Sequence, residues 1–205
     1  MKKLSLLVAA FLMAASVMTF AHEHAKVGKK APNFTLKDKD GVEHSLSDFA
    51  GKYVVLEWVN YDCPFVKKHY ESGNMQELQK EYTEKGVVWL AVCSSAEGKQ
   101  GNFTKEELDE RQEELETAET AYLIDESGEV GHMYNAKTTP DMVVINPDQE
   151  VIYLGAIDNI ASADQADIEK ADNLVADALD AAMSGKEVKV KTQKPYGCGV
   201  KYAKR

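Results

Sequence analysis

Cys63 stands in the run Trp58-Val59-Asn60-Tyr61-Asp62-Cys63-Pro64-Phe65-Val66, where an apolar strand pattern gives way to a helical one. A cysteine at the start of a helix meets unpaired N–H groups and the positive end of the helix dipole, which favour the thiolate and lower the thiol pKa. Pro64 suits the first helical position and Lys67, one turn on, adds positive charge, while the adjacent Asp62 opposes ionisation. The chemistry expected is that of a solvent-reachable redox thiolate rather than an inert buried thiol.

Two more cysteines, Cys93 and Cys198, complete the set. They are too few and too scattered for a disulfide scaffold and wrongly spaced for a zinc ribbon. Cys198 lies between Gly197 and Gly199, which permit tight turns and close approach. Cys93 closes an apolar run and reads as a small core residue, although it falls at the same sheet edge as Cys63. Spacing alone leaves both pairings with Cys63 open. His44, His69 and His132 lack metal-ligand spacing and read as surface or structural residues. Asn102-Phe103-Thr104 matches a glycosylation sequon by chance, and the Gly98 to Gly101 loop, expected over the reactive edge, lacks the pattern of a phosphate cradle.

The elements that position these residues follow from periodicity. Asn33 to Leu36 and Val42 to Leu46 flank a Lys37 to Gly41 turn and predict a hairpin. Tyr53 to Val59 and Val87 to Val92 are nearly continuous apolar runs, the mark of strands buried on both faces, and the helical pattern between them makes them parallel. That helix starts at Pro64, weakens at Ser72-Gly73-Asn74 and resumes from Met75 to Glu84. Thr104 and Glu107 form a capping box opening a charged helix to about Glu116, read as a solvated insertion outside the core. Ala121 to Ile124 predicts a strand and Gly128 to Tyr134 a short helix. Asp141 to Ile145 and Val151 to Gly155 predict two antiparallel edge strands, and Ala163 to Met183 one long Ala-rich helix. The order predicts an α/β sandwich around a mixed sheet, with Cys63 at the carboxyl end of a parallel strand.

Lys2, Lys3 and the apolar run Leu4 to Phe20 read as an export signal over residues 1–21, with cleavage after Ala21. Residues 22–185 then form one domain and residues 186–205 a basic tail carrying Cys198. A mature start at His22-Glu23-His24 offers an amine, amides and an imidazole to a square-planar Cu(II) or Ni(II), against the plainer reading of a solvated terminus. The 44% hydrophobic content suffices for an ordinary core, and the formal net charge of −10 argues against nucleic-acid or anionic-lipid binding.

With the strand, Cys63-Pro64, the helix and Thr139-Pro140 in view, the chain resembles the thioredoxin superfamily, specifically its peroxiredoxin-like, redoxin-domain branch. The matching segments are Asn60 to Lys68, Lys137 to Pro140, Gly155 to Asp158 and Lys194 to Cys198. The resemblance implies a thioredoxin-like α/β fold with a cis Pro140 facing Cys63 and shaping the groove where a partner chain docks. It also implies a cysteine at position 198 that resolves oxidised Cys63. The two lie 135 positions apart, so the fold must bring them together. Such a link constrains the unfolded chain by about 5 kcal/mol in the entropy model.

Two departures stand out. Thioredoxin-type reductases carry Cys-x-x-Cys, but Val66 holds the fourth position here. Peroxiredoxins resemble Pro-x-x-x-Thr/Ser-x-x-Cys with an arginine nearby, but Leu56 and Asn60 occupy the first two positions and the only arginines are Arg111 and Arg205. The expected activity is that of an exported, periplasmic thiol oxidoreductase acting on a disulfide or a small peroxide. Cys63 and Cys198 are its catalytic pair, and Asn60, Pro64, Thr139 and Pro140 line the substrate side. A membrane thiol reductase or small thioredoxin-like partner would supply electrons, and no metal or organic cofactor is expected. The alternative is a non-catalytic thioredoxin-fold binding protein or copper metallochaperone.

Overall fold

The computed structural model describes residues 24–204; the expected export signal, its cleavage site, His22 and Glu23 lie outside them. A mixed sheet of eight strands runs in the order β2-β1-β5-β4-β3-β7-β8-β9. Its strands are β1 (Thr35–Asp38), β2 (Glu43–Ser45), β3 (Val54–Trp58), β4 (Val88–Cys93), β5 (Ala121–Ile124), β7 (Asp141–Ile145), β8 (Val151–Gly155) and β9 (Thr192–Gln193). A separate two-stranded ladder joins β6 (Thr138–Thr139) to β10 (Cys198–Gly199).

The strand β3 alternates between the two faces of the sheet. Val55 and Val59 pack on the face covered by α1 (Pro64–Glu71), α2 (Asn74–Glu84), α3 (Lys105–Glu114) and α5 (Leu174–Met183), while Val54, Leu56 and Trp58 join the opposite cluster with Leu46, Val130 and Tyr134. Val130 comes from α4 (Glu129–Met133). Each buried aliphatic or aromatic side chain contributes roughly 1.5–3 kcal/mol, so a strand apolar on both faces anchors two layers at once. β3 and β4 are parallel, as the helical crossover requires. Gly73, in the left-handed region at φ 81°, breaks the crossover helix into α1 and α2.

Three expectations need correction. The strands β7 and β8 are antiparallel but do not form the edge, because β7 pairs with the central β3 and the tail adds β9 outside β8. The long helix is confined to α5, preceded by a 3₁₀ turn at Gln165–Lys170. Side chains explain the interruption: Asp164 accepts from the Ala166 N–H, Asn173 accepts from the Ala176 N–H, and Asn159 and Asp172 exchange hydrogen bonds across the gap. Such local bonds offer the backbone an alternative to a continuous helix. Finally, α3 keeps its expected capping box but is not a mere solvated insertion, since Leu108 is buried and Arg111 reaches the reactive turn.

Candidate active site

Cys63 is the N-cap of α1, with extended backbone (φ −77°, ψ 125°) and Pro64 directly after it. Its carbonyl accepts the first helical bonds from the Val66 and Lys67 N–H groups at 2.9 Å each, and its own N–H donates to the Asn60 carbonyl at 2.9 Å. The Asn60 side chain is spent on the fold: Oδ1 accepts from the Asp62 N–H at 3.0 Å, and Nδ2 reaches the Gln100 carbonyl at 3.4 Å. Asn60 therefore shapes the turn that presents Cys63. Asp62 is turned to Arg111 at 3.2 Å, and the Arg111 guanidinium lies 4.2 Å from the centre of the Phe103 ring. A basic residue 49 positions along the chain from Asp62 thus partners the carboxylate next to the thiol, which no local pattern could reveal.

The peptide bond Thr139-Pro140 is cis. The Thr139 carbonyl lies 3.1 Å from the Cys63 sulfur, which donates to it. The Thr139 hydroxyl is buried without a hydrogen-bond partner in this geometry. It faces the sulfur closely enough to favour the thiolate.

Cys198 comes to the same place. In the β6–β10 ladder it lies opposite Thr139, with Gly199 opposite Thr138, and its thiol acts to lower the Cys63 pKa. Burial pushes the Cys63 thiol up, but the Cys198 thiol, the Thr139 hydroxyl and the Val66 and Cys198 N–H groups together hold it below the ordinary thiol range. Cys198 moves the other way, to about 11, first through burial and then through the facing Cys63 sulfur. Both thiols are free in this structure. Cys93 is buried too, and its thiol donates to the Gly101 carbonyl at 3.1 Å.

One expectation fails here: the Cys63 sulfur is not reachable from solvent, because the residue is 0% exposed. The C-terminal tail lies across it. Gly155 and Gly197 allow the tail to settle, since a Cβ on Gly155 would meet the Gln193 carbonyl oxygen at 1.8 Å and one on Gly197 the Thr139 carbonyl oxygen at 2.1 Å. Farther on, the Val200 N–H donates to the Lys137 carbonyl, the Ala96 N–H to the Lys201 carbonyl, and the Tyr202 hydroxyl to the Ala136 carbonyl.

A buried polar cluster fastens the tail beside the thiols. Lys68, fully buried on α1, donates to Asp158 at 3.0 Å, and the Tyr196 hydroxyl donates to the other Asp158 oxygen at 2.5 Å. Tyr196 also packs edge-on against Phe65 and sits 3.5 Å from His69 Nε2. Burial holds the His69 imidazole neutral, with its pKa lowered to about 4. Lys68, Asp158 and Tyr196 occur within the segments that carried the family resemblance, but nothing in their spacing announced a shared contact. A second buried group, Glu57 on β3, accepts from Tyr70, Trp89 and Gln79. Burial raises it to about 7. A carboxylate inside a strand buried on both faces was visible in the sequence as an anomaly.

A family model described as Redoxin matches residues 26–174. A thiol-disulfide oxidoreductase ResA from Bacillus thuringiensis subsp. konkukian is 33% identical over 131 residues, 63% of this chain and 69% of the relative. An uncharacterized conserved protein from Geobacillus kaustophilus superposes with a TM-score of 0.71 at 30% identity, covering 88% of this chain and 94% of its own. The thioredoxin domain of a thiol-disulfide oxidoreductase from Bacteroides vulgatus superposes with a TM-score of 0.51 at 21% identity, over 71% of this chain and 96% of that one. The fold is thioredoxin-like.

Proposed function

This chain belongs to the redoxin family of oxidoreductases, and we propose that its working unit is the pair Cys63 and Cys198, cycled between dithiol and disulfide against the thiols of a protein partner. The observation that carries the reading is the placement of Cys198 opposite Thr139, whose carbonyl holds the Cys63 thiol. A nucleophile of lowered pKa beside a second thiol is the arrangement thiol–disulfide exchange requires. In the oxidised state one S–S bond joins the two sulfurs. A partner dithiol reduces it, leaving two protein thiols and a partner disulfide, so atoms and electrons balance. Export to the periplasm and electron supply by a membrane thiol reductase or thioredoxin-like protein belong to the same proposal.

Mass spectrometry of the mildly oxidised protein tests it. A Cys63–Cys198 linked peptide, lost on treatment with dithiothreitol, is the expected result; a Cys63–Cys93 link or three persistent thiols would end the reading.

A second reading, peroxide reduction, is favoured by the complete burial of Cys63, which admits a small oxidant more readily than a polypeptide. The Cys63 thiolate would take one peroxide oxygen to become a sulfenic acid as the O–O bond breaks and the other oxygen leaves as water or an alcohol, and the Cys198 thiol would then displace the sulfenic oxygen as water to form the same disulfide. Stopped-flow consumption of hydrogen peroxide no faster than by free cysteine would remove this reading. For the metallochaperone alternative, no cluster of three or more His, Cys, Asp or Glu suited to a metal occurs among the described residues. Copper stoichiometry of Cys63→Ser against the unaltered protein would test it directly.

A further inference from the structure

We propose that external thiols enter the redox cycle at Cys198, attacking its sulfur in the Cys63–Cys198 disulfide and expelling Cys63 as the leaving thiolate. The inference rests on the reading of these two residues as a redox pair and assigns each sulfur its part.

Accessibility argues first. Cys63 is 0% exposed, whereas Cys198 is partly exposed on β10 between a half-buried Gly197 and an exposed Gly199. Neither glycine carries a side chain to crowd an incoming nucleophile.

Stereochemistry argues second, and decides more. Exchange is an in-line displacement, in which the attacking sulfur, the attacked sulfur and the leaving sulfur are nearly collinear. Attack on Cys63 would have to reach a residue with no exposed surface, inside the apolar cluster that also holds Tyr61, Val66 and Ile157. No thiol can approach through that core without unfolding it. Attack on Cys198 meets a partly exposed residue.

The surroundings of the departing sulfur complete the case. Charge released on Cys63 falls at the N-terminus of α1, beside Thr139 and Cys198, surroundings that lower the pKa of this thiol. A stabilised leaving thiolate departs faster. The balance is simple: the partner thiolate and Cys198 form a new S–S bond, the Cys63–Cys198 bond breaks, and its electron pair stays on Cys63. A second partner thiol then displaces the first from Cys198, leaving the partner oxidised and Cys198 reduced.

Tail docking is what imposes this polarity. β10 occupies the strand position beside the cis-proline, so the protein's own tail stands between Cys63 and the outside.

The experiment uses the intact protein. Its Cys63–Cys198 disulfide is formed first and verified by peptide mapping, and isotopically labelled glutathione is then added and the mixture quenched in acid within the first turnover. The expected result is a glutathione adduct at Cys198 exceeding that at Cys63 by about tenfold or more, with Cys63 recovered as a free thiol. An adduct mainly at Cys63, or an even split, overturns the assignment while leaving the redox pair intact. Failure to form the disulfide in the first step would instead defeat the proposed function itself.

Discussion

Cys198 lies directly opposite Thr139 in the β6–β10 ladder, and the Thr139 carbonyl is the acceptor of the Cys63 thiol at 3.1 Å. One threonine thus positions two sulfurs that are 135 residues apart in the chain. Its backbone serves the protonated thiol, and its buried hydroxyl is free to serve the thiolate.

That division of labour predicts the behaviour of Thr139→Val, which keeps the carbonyl and the shape but removes the hydroxyl. The Cys63 pKa should rise by about one unit, the worth of one hydrogen bond to a charged group. Ultraviolet absorbance of the thiolate against pH measures it in a Cys93→Ala, Cys198→Ala background. An unmoved titration would show that the hydroxyl does nothing for the anion.

Tyr196→Phe removes only the hydroxyl that binds Asp158. Loss of a hydrogen bond to a charged partner, roughly 1–2 kcal/mol, should lower the effective concentration of Cys198 at Cys63 by about tenfold. The equilibrium between dithiol and disulfide in a glutathione buffer reads this directly. A constant equal to that of the unaltered protein would mean that the cluster does not hold the tail in register.

The two glycines flanking Cys198 should respond oppositely to alanine. Gly197→Ala would drive a Cβ to 2.1 Å from the Thr139 carbonyl oxygen at φ 143°, whereas a Cβ on Gly199 meets nothing closer than the Lys137 carbonyl oxygen at 3.9 Å. Gly197→Ala should therefore lift β10 and abolish the Cys63–Cys198 link, and Gly199→Ala should preserve it. Linked-peptide yields after equal oxidation decide the matter.

Glu57 supplies a pH signature. Burial raises its folded-state pKa from 4.5 to about 7, so the native state binds its proton more tightly than the unfolded chain does. The associated stability is fully present below pH 4.5 and is lost as pH rises through 7, a change of about 3 kcal/mol. Asp141, raised to about 7 mainly by burial, acts in the same sense, and His69, lowered to about 4, acts in the opposite sense between its two values. Glu57→Gln, a mimic of the protonated acid, should isolate the first contribution. Its stability relative to the unaltered protein should grow from pH 5 to pH 8 in urea titrations. A constant difference would show that Glu57 titrates normally.

Much of the fold was legible because it rests on local patterns. The apolar run around Val54 to Trp58 can be satisfied only by a strand with both faces covered, the limits of β5, β7 and β8 follow from alternation and turn residues, and Gly73 breaks the crossover helix where expected. The failures came where a nearer competitor took the backbone. Asp164 and Asn173 capped short segments in place of the long Ala-rich helix. The tail's two short strands carry too few residues to show any periodicity.

What the sequence determined by itself is the chemistry at position 63: a cysteine followed by proline at a strand-to-helix junction, because helix initiation is a local event. Tertiary structure alone decided who faces that sulfur. Arg111, Asp158 and the tail pair Tyr196 and Cys198 reach the site from three separate segments, and hydrogen bonds and burial depend on distance in space, which separation along the chain does not encode. It also decided that the sulfur is covered, since burial belongs to the packed tail and not to the residue.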